Sequence, residues 1–192
     1  MPRADERAIS TRRGPHWPAI LTIIRIVLVV PVVLLTLNRT NASSWLAFAA
    51  FAIAALTDGL DGFAARKMGL VSTAGQLWDP IADKILVLVS MAALVVVGRF
   101  PAWAAAIIVV REAAVTVLRV AAERRGRGFP ASPAGKLKTG SQLIAVLLFI
   151  LPEGTVPGWI EDAALWSAVV LSLVSGLDYF RRAPALLSGR AS

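Results

Sequence analysis

Six apolar stretches divide this chain, at residues 17–37, 45–63, 77–97, 102–120, 143–151 and 159–177, and they leave little room for anything but a helical membrane protein. A bilayer core offers no water to backbone N–H and C=O groups, so a chain crosses it as helices or as a closed barrel. A helical crossing needs about 20 mostly apolar residues. The fifth stretch reaches that length only if its helix begins near Gly135 and runs through Lys138 to Pro152. Composition agrees, with 57% of 192 residues hydrophobic and 17% charged. The expected fold is all-α and integral to a membrane, with six transmembrane helices in residues 16–182. Residues 1–15 would form a cytoplasmic segment able to lie as an interfacial helix, and 183–192 a cytoplasmic tail.

The net charge of +8 would suit nucleic acid, but its placement argues for a membrane and no nucleic-acid partner. Arg3, Arg7, Arg12 and Arg13 precede the first span; Arg66 and Lys67 separate the second and third. Arg124, Arg125, Arg127, Lys136 and Lys138 lie between the fourth and fifth, and Arg181, Arg182 and Arg190 follow the sixth. The opposite loops carry Arg39 and Arg99 together with Glu153, Glu161 and Asp162. By the positive-inside rule both termini face the cytoplasm. Such basic loops also attract anionic headgroups, at about 1 kcal/mol per residue. The chain has no cysteine and one histidine, His16, which excludes disulfides and thiolate sites and argues against a zinc centre built on imidazoles.

Carboxylates interrupt the apolar pattern. Asp58, Asp61, Gly62 and Ala65 stand at i, i+3, i+4 and i+7, and Gly75, Asp79 and Asp83 follow at steps of four, so each set shares one helix face. A carboxylate in a bilayer costs about 2.5–3.5 kcal/mol at the helix centre, or about 10 kcal/mol for four left unpaired. Something cationic must offset that cost. Oxygen donors without nearby imidazole or thiolate select hard cations, Mg²⁺, Mn²⁺ or Ca²⁺. Two such ions bridged by carboxylates clamp the attacking and leaving oxygens of a displacement at phosphorus. Gly62, Ala65 and Gly75 would let a phosphorylated group approach the backbone, although small residues also make packing seams between membrane helices. Gly69 is expected to end the second helix and Thr73 with Gln76 to open the third as a capping box. That turn puts the carboxylates near the cytoplasmic face.

The full pattern is Asp58-x-x-Asp61-Gly62-x-x-Ala65-Arg66, eight residues, then Gly75-x-x-x-Asp79-x-x-x-Asp83. It resembles the signature of the CDP-alcohol phosphotransferase family, with every position filled. The resemblance implies a six-helix membrane enzyme, usually a homodimer, in which an alcohol attacks a CDP-linked lipid and expels CMP. It implies Asp58, Asp61, Asp79 and Asp83 as ligands of two Mg²⁺ (or Mn²⁺) ions, with Asp83 also the general base. Asp58, Gly62, Ala65, Arg66, Ser72 and Gly75 would face the CDP-lipid. So would Thr22 and Arg25, which follow Trp17-Pro18; Arg25 could equally snorkel to the interface. Where the family often has asparagine after that proline, this chain has Ala19.

The resemblance runs from about Pro18 to Leu148. Arg111-Glu112 through Arg119, Ala131-Ser132-x-x-Gly135-Lys136-x-Lys138-Thr139 and Asp79-Pro80-x-Ala82-Asp83-Lys84 are similar to the bacterial branch that makes phosphatidylglycerophosphate from CDP-diacylglycerol and glycerol 3-phosphate. That branch implies a bacterial plasma membrane. Arg111 and Arg119, eight residues apart, project from similar sides of one helix. Their planar forks suit an acceptor phosphate, and Lys136 and Lys138 could complete that site. Equally, Arg111 could pair with Glu112 or a motif carboxylate, and the lysines could set topology and meet headgroups. Phosphatidylglycerol (as in CDP-dependent cardiolipin synthases) or inositol phosphate would change the acceptor and keep the chemistry. A cation transporter would spread acidic residues across the bilayer, whereas these four gather near one end.

Overall fold

A computed structural model describes the backbone over residues 17–68, 75–123 and 133–188, and side chains over 27–57, 84–122, 135 and 137–181. The described residues form six helices and no strand. They are α1 (Trp17–Asn38), α2 (Asn41–Met68), α3 (Gly75–Val96), α4 (Ala102–Glu123), α5 (Pro133–Ile150) and α6 (Gly158–Ser188). Each carries one of the six apolar stretches, with Val97 and Leu151 falling just past the ends of α3 and α5. The fifth starts at Pro133, ahead of its apolar core, with proline at the first helical position where its missing N–H costs nothing. α6 runs on to Ser188, into the segment read as a tail. Gly69, Thr73 and residues 1–15 lie outside the described residues.

Local chemistry explains the ends away from the aspartates. Gly98, at φ +75°, closes α3: its N–H reaches the Val95 carbonyl, and that of Arg99 reaches Leu94. Those two bonds form a Schellman motif, which needs a residue that tolerates the left-handed region. Thr40 opens α2 as a capping box: the Ser43 N–H donates to Thr40 Oγ1 at 3.1 Å, and the Thr40 N–H donates to Ser43 Oγ at 3.0 Å. Arg99 ties this end together, its Nη2 donating to Glu161 at 2.9 Å and to the Leu151 carbonyl at 3.2 Å.

α1 packs on α2 and α3, α5 on α6, α2 and α3, and α4 on α6 and α3. Val32, Phe51, Met91, Ile108, Val146 and Val169 meet in one core fed by all six helices. Ala47, Ala104, Ala145 and Ala168 are at most 1% exposed, so small residues sit where the helices come closest. The outer surface is also apolar. Leu34, Leu56, Val117, Trp166, Val174 and Leu177 are all more than half exposed. Among the described residues, Gly158–Arg181 is long and apolar enough to cross a membrane; Val27–Asn38, Asn41–Thr57, Lys84–Val96 and Leu137–Ile150 are shorter apolar helices.

Candidate functional site

Asp58, Asp61, Gly62, Ala65 and Arg66 lie on the helical backbone of α2, and Gly75, Asp79 and Asp83 on that of α3. The helix continues through Pro80. The spacing argument therefore holds at the level of the backbone: both sets fall on helices, where steps of three and four share a face. Their side chains, with those of Thr22, Arg25 and Lys136, lie outside the described residues, as does Ser72 altogether. The donor chemistry of the four carboxylates fits a hard divalent cation.

Immediately after Asp83 the described side chains begin, and with them a buried ionic network. Lys84 leaves α3 towards α4, where its Nζ donates to Thr116 Oγ1 at 2.5 Å and lies 3.5 Å from Glu112 Oε2. Thr116 in turn donates to the Glu112 carbonyl at 2.7 Å, one helical turn back. Glu112 is 4% exposed, and its Oε1 accepts from Lys138 Nζ of α5 at 2.5 Å and from Arg111 Nη1 at 2.7 Å. Arg111 is 7% exposed and reaches across to α6, donating from Nε to the Ser172 carbonyl at 3.0 Å and from Nη2 to Ser175 Oγ. Three helices thus meet at one carboxylate, and Arg111 links it to a fourth, α6.

Two details explain how α6 accepts an arginine. Ser172, Ser175, Gly176 and Tyr179 fall at i, i+3, i+4 and i+7, so one face of an otherwise apolar helix is small or polar. At Gly176 a Cβ atom would stand 3.1 Å from Arg111 Cγ and 3.2 Å from Nε, so the missing side chain makes room for the arginine stem. Tyr179, buried on the same face, has its ring centroid 6.0 Å from Cζ of both Arg111 and Arg119. Its hydroxyl accepts from Arg119 Nη2 at 3.2 Å. Arg119 Nε is buried with no hydrogen-bond partner among the described residues.

Three of the four residues read as acceptor-phosphate candidates, Arg111, Arg119 and Lys138, therefore come together. Arg111 has the partner anticipated as its structural alternative, Glu112. Lys138, at 7% exposed, is too buried for the headgroup reading. Donors remain nonetheless. A guanidinium has five N–H groups and an ammonium three; Arg111 commits one from each nitrogen, and Lys138 one in all. Thr116, Ser172, Ser175 and Tyr179 were not identified as part of the site from sequence, and Lys84 only as the end of the Asp79–Lys84 motif. The signal for three of them was present in the polar stripe of α6.

Residues 15–174 match the profile of the family described as CDP-alcohol phosphatidyltransferase. The CDP-diacylglycerol–glycerol-3-phosphate 3-phosphatidyltransferase of Bacillus subtilis is 43% identical over 129 residues, covering 66% of this chain and 67% of that protein. A Mycobacterium tuberculosis protein named "Probable phosphatidylglycerophosphate synthase" is 42% identical over 131 residues, covering 67% of this chain and 61% of that protein. A Mycoplasma pneumoniae protein with the same name as the Bacillus one is 41% identical over 93 residues, 48% of this chain and 41% of its own length. The match to this chain thus spans at most about two thirds of these relatives. The profile takes in both aspartate-bearing helices and the whole buried network as far as Ser172. The chain belongs to the CDP-alcohol phosphatidyltransferase family.

Proposed function

We propose that this chain transfers the phosphatidyl group of CDP-diacylglycerol to the 1-hydroxyl of sn-glycerol 3-phosphate, giving phosphatidylglycerophosphate and CMP. The names of its relatives support the reaction. The observation that carries the acceptor is the surplus of buried donors around Glu112 and Tyr179. Arg111 and Lys138 keep two uncommitted N–H groups each, and Arg119 Nε has no partner among the described residues. A phosphate monoester is an anion with oxygens enough to take them.

Asp83 is the general base for the acceptor hydroxyl, whose oxygen attacks the lipid-side phosphorus as CMP leaves. Two Mg²⁺ or Mn²⁺ ions held by Asp58, Asp61, Asp79 and Asp83 would supply a Lewis-acid clamp on the attacking and leaving oxygens. Thr22, Arg25, Gly62, Ala65, Arg66, Ser72 and Gly75 form the CDP-lipid surface, and Arg111, Arg119, Lys136 and Lys138 hold the acceptor phosphate. All six helices span a bacterial plasma membrane, with both termini and the site cytoplasmic, and the enzyme is a homodimer. The apolar outer surface supports this placement, since soluble monomers rarely expose large contiguous apolar patches.

Purified protein given CDP-diacylglycerol and Mg²⁺ should release CMP when glycerol 3-phosphate is added, and should stop when the metal is chelated. Release with phosphatidylglycerol or inositol phosphate in its place would overturn the acceptor. Release with none of the three would overturn the reaction, and release undiminished by chelation would overturn the metal assignment.

A further inference from the structure

Glu112 is an acid buried among the very cations that the proposed reaction assigns to an anion. A carboxylate inside a phosphate site should repel its substrate, so its presence needs a reason. The geometry points to Glu112 as a positioning residue for the acceptor: it gathers Lys84, Arg111 and Lys138 around one point before the phosphate arrives. This inference rests on the reading of the chain as a transferase to glycerol 3-phosphate, and adds a residue to which that reading gives no role.

Three features carry it. Each cation comes from a different helix, Lys84 from α3, Arg111 from α4 and Lys138 from α5, and each lies 2.5–3.5 Å from a Glu112 carboxylate oxygen. Like charges desolvated this closely hold together only around a counter-charge. Glu112 supplies it, and no other acidic side chain among the described residues is paired with these three in an ion pair. Second, the balance is not closed. Among the described ion pairs three cations meet one carboxylate, an excess of positive charge that suits an anionic phosphate monoester. Third, the carboxylate leaves donors unspent. Lys138 and Arg111 both meet Oε1, so their remaining N–H groups stay available around a common point.

Glu112 therefore does not compete with the acceptor. It presets the spacing of the donors. Lys84 follows Asp83 in the chain, so its anchorage to Glu112 and Thr116 also ties the proposed base to the acceptor donors.

The test is steady-state CMP release by the full chain in phospholipid nanodiscs, with glycerol 3-phosphate and CDP-diacylglycerol varied in turn. Glu112→Gln should raise the KM for glycerol 3-phosphate at least tenfold and leave that for CDP-diacylglycerol within twofold. Glu112→Asp keeps the charge and perturbs folding less, and should recover part of the loss. A lower KM for glycerol 3-phosphate in Glu112→Gln would mean that the carboxylate competes with the acceptor. Equal changes in both KM values, or a fall in activity with both unchanged, would mean a structural role alone. Either result overturns the inference while glycerol 3-phosphate remains the wild-type acceptor. If Glu112→Gln does not fold, Glu112→Asp decides by the same split between the two KM values. Absence of CMP release by the wild type with glycerol 3-phosphate overturns the underlying reading and this inference with it.

Discussion

Gly176→Ala is a one-carbon change whose effect can be worked out from the distances around Arg111. The new Cβ would stand 3.1 Å from Arg111 Cγ and 3.2 Å from Nε. Ordinary non-bonded separations are about 3.5–4.0 Å, so Arg111 must retreat by roughly 0.4–0.9 Å. A free arginine would do so at little cost. This one is held by Nε on the Ser172 carbonyl at 3.0 Å, Nη1 on Glu112 at 2.7 Å and Nη2 on Ser175. Retreat from α6 stretches the Ser172 bond first, and a hydrogen bond to a charged group contributes about 1.5–3 kcal/mol. Alanine recovers about 1 kcal/mol of helix propensity over glycine. The net expectation is a loss of about 0.5–2 kcal/mol. A displaced Arg111 should also raise the KM for glycerol 3-phosphate, by about threefold to tenfold, since 1.4 kcal/mol corresponds to a factor of ten. Thermal unfolding in detergent and CMP-release kinetics measure the two effects separately. Gly140→Ala in α5, where a Cβ meets nothing within 4 Å, is the control and should gain up to about 1 kcal/mol. A Gly176→Ala protein as stable as that control, with an unchanged KM, would refute the claim that Arg111 is locked.

Asp83→Asn should lower kcat by about 10²–10⁴-fold, the usual contribution of a general base, and normal turnover would move the base elsewhere. Arg119→Ala should raise the KM for glycerol 3-phosphate more than that for CDP-diacylglycerol; the reverse pattern would place Arg119 on the lipid substrate. Tyr179→Phe removes the acceptor 3.2 Å from Arg119 Nη2 but keeps the ring near both arginines. It should cost about 0.5–1.5 kcal/mol, seen as a modest rise in the same KM, and a loss as large as that of Arg119→Ala would mean that the hydroxyl itself meets substrate.

The helices were legible because their signal is local. Backbone satisfaction in an apolar solvent admits little besides helices, and the six apolar runs mark where they lie. The start of α2 was not read this way: the Thr40–Ser43 box opens the helix at Asn41, ahead of the apolar run at Trp45. The faces shared by Asp58 and Asp61, and by Asp79 and Asp83, follow from periodicity alone, and the family follows from the spacing between them. α6 outran its apolar run, because hydropathy marks where a helix is apolar and not where its hydrogen bonding stops.

The partners of the buried charges were not legible in this way. Arg111 had two candidate protein partners besides the acceptor phosphate, and its sequence neighbour Glu112 is the one it pairs with. That Lys84 and Lys138 converge on the same carboxylate depends on how α3, α4 and α5 pack, across separations of 26 and 28 residues in the chain. Ser172, Ser175 and Tyr179 join from α6, 60 to 64 residues from their arginines. Periodicity says which residues share a face but not which face meets which, since that depends on the summed packing of all six helices. The sequence alone thus determined the helices, the carboxylate faces and the family. Only tertiary packing decided that one glutamate would sit at the centre of the cations.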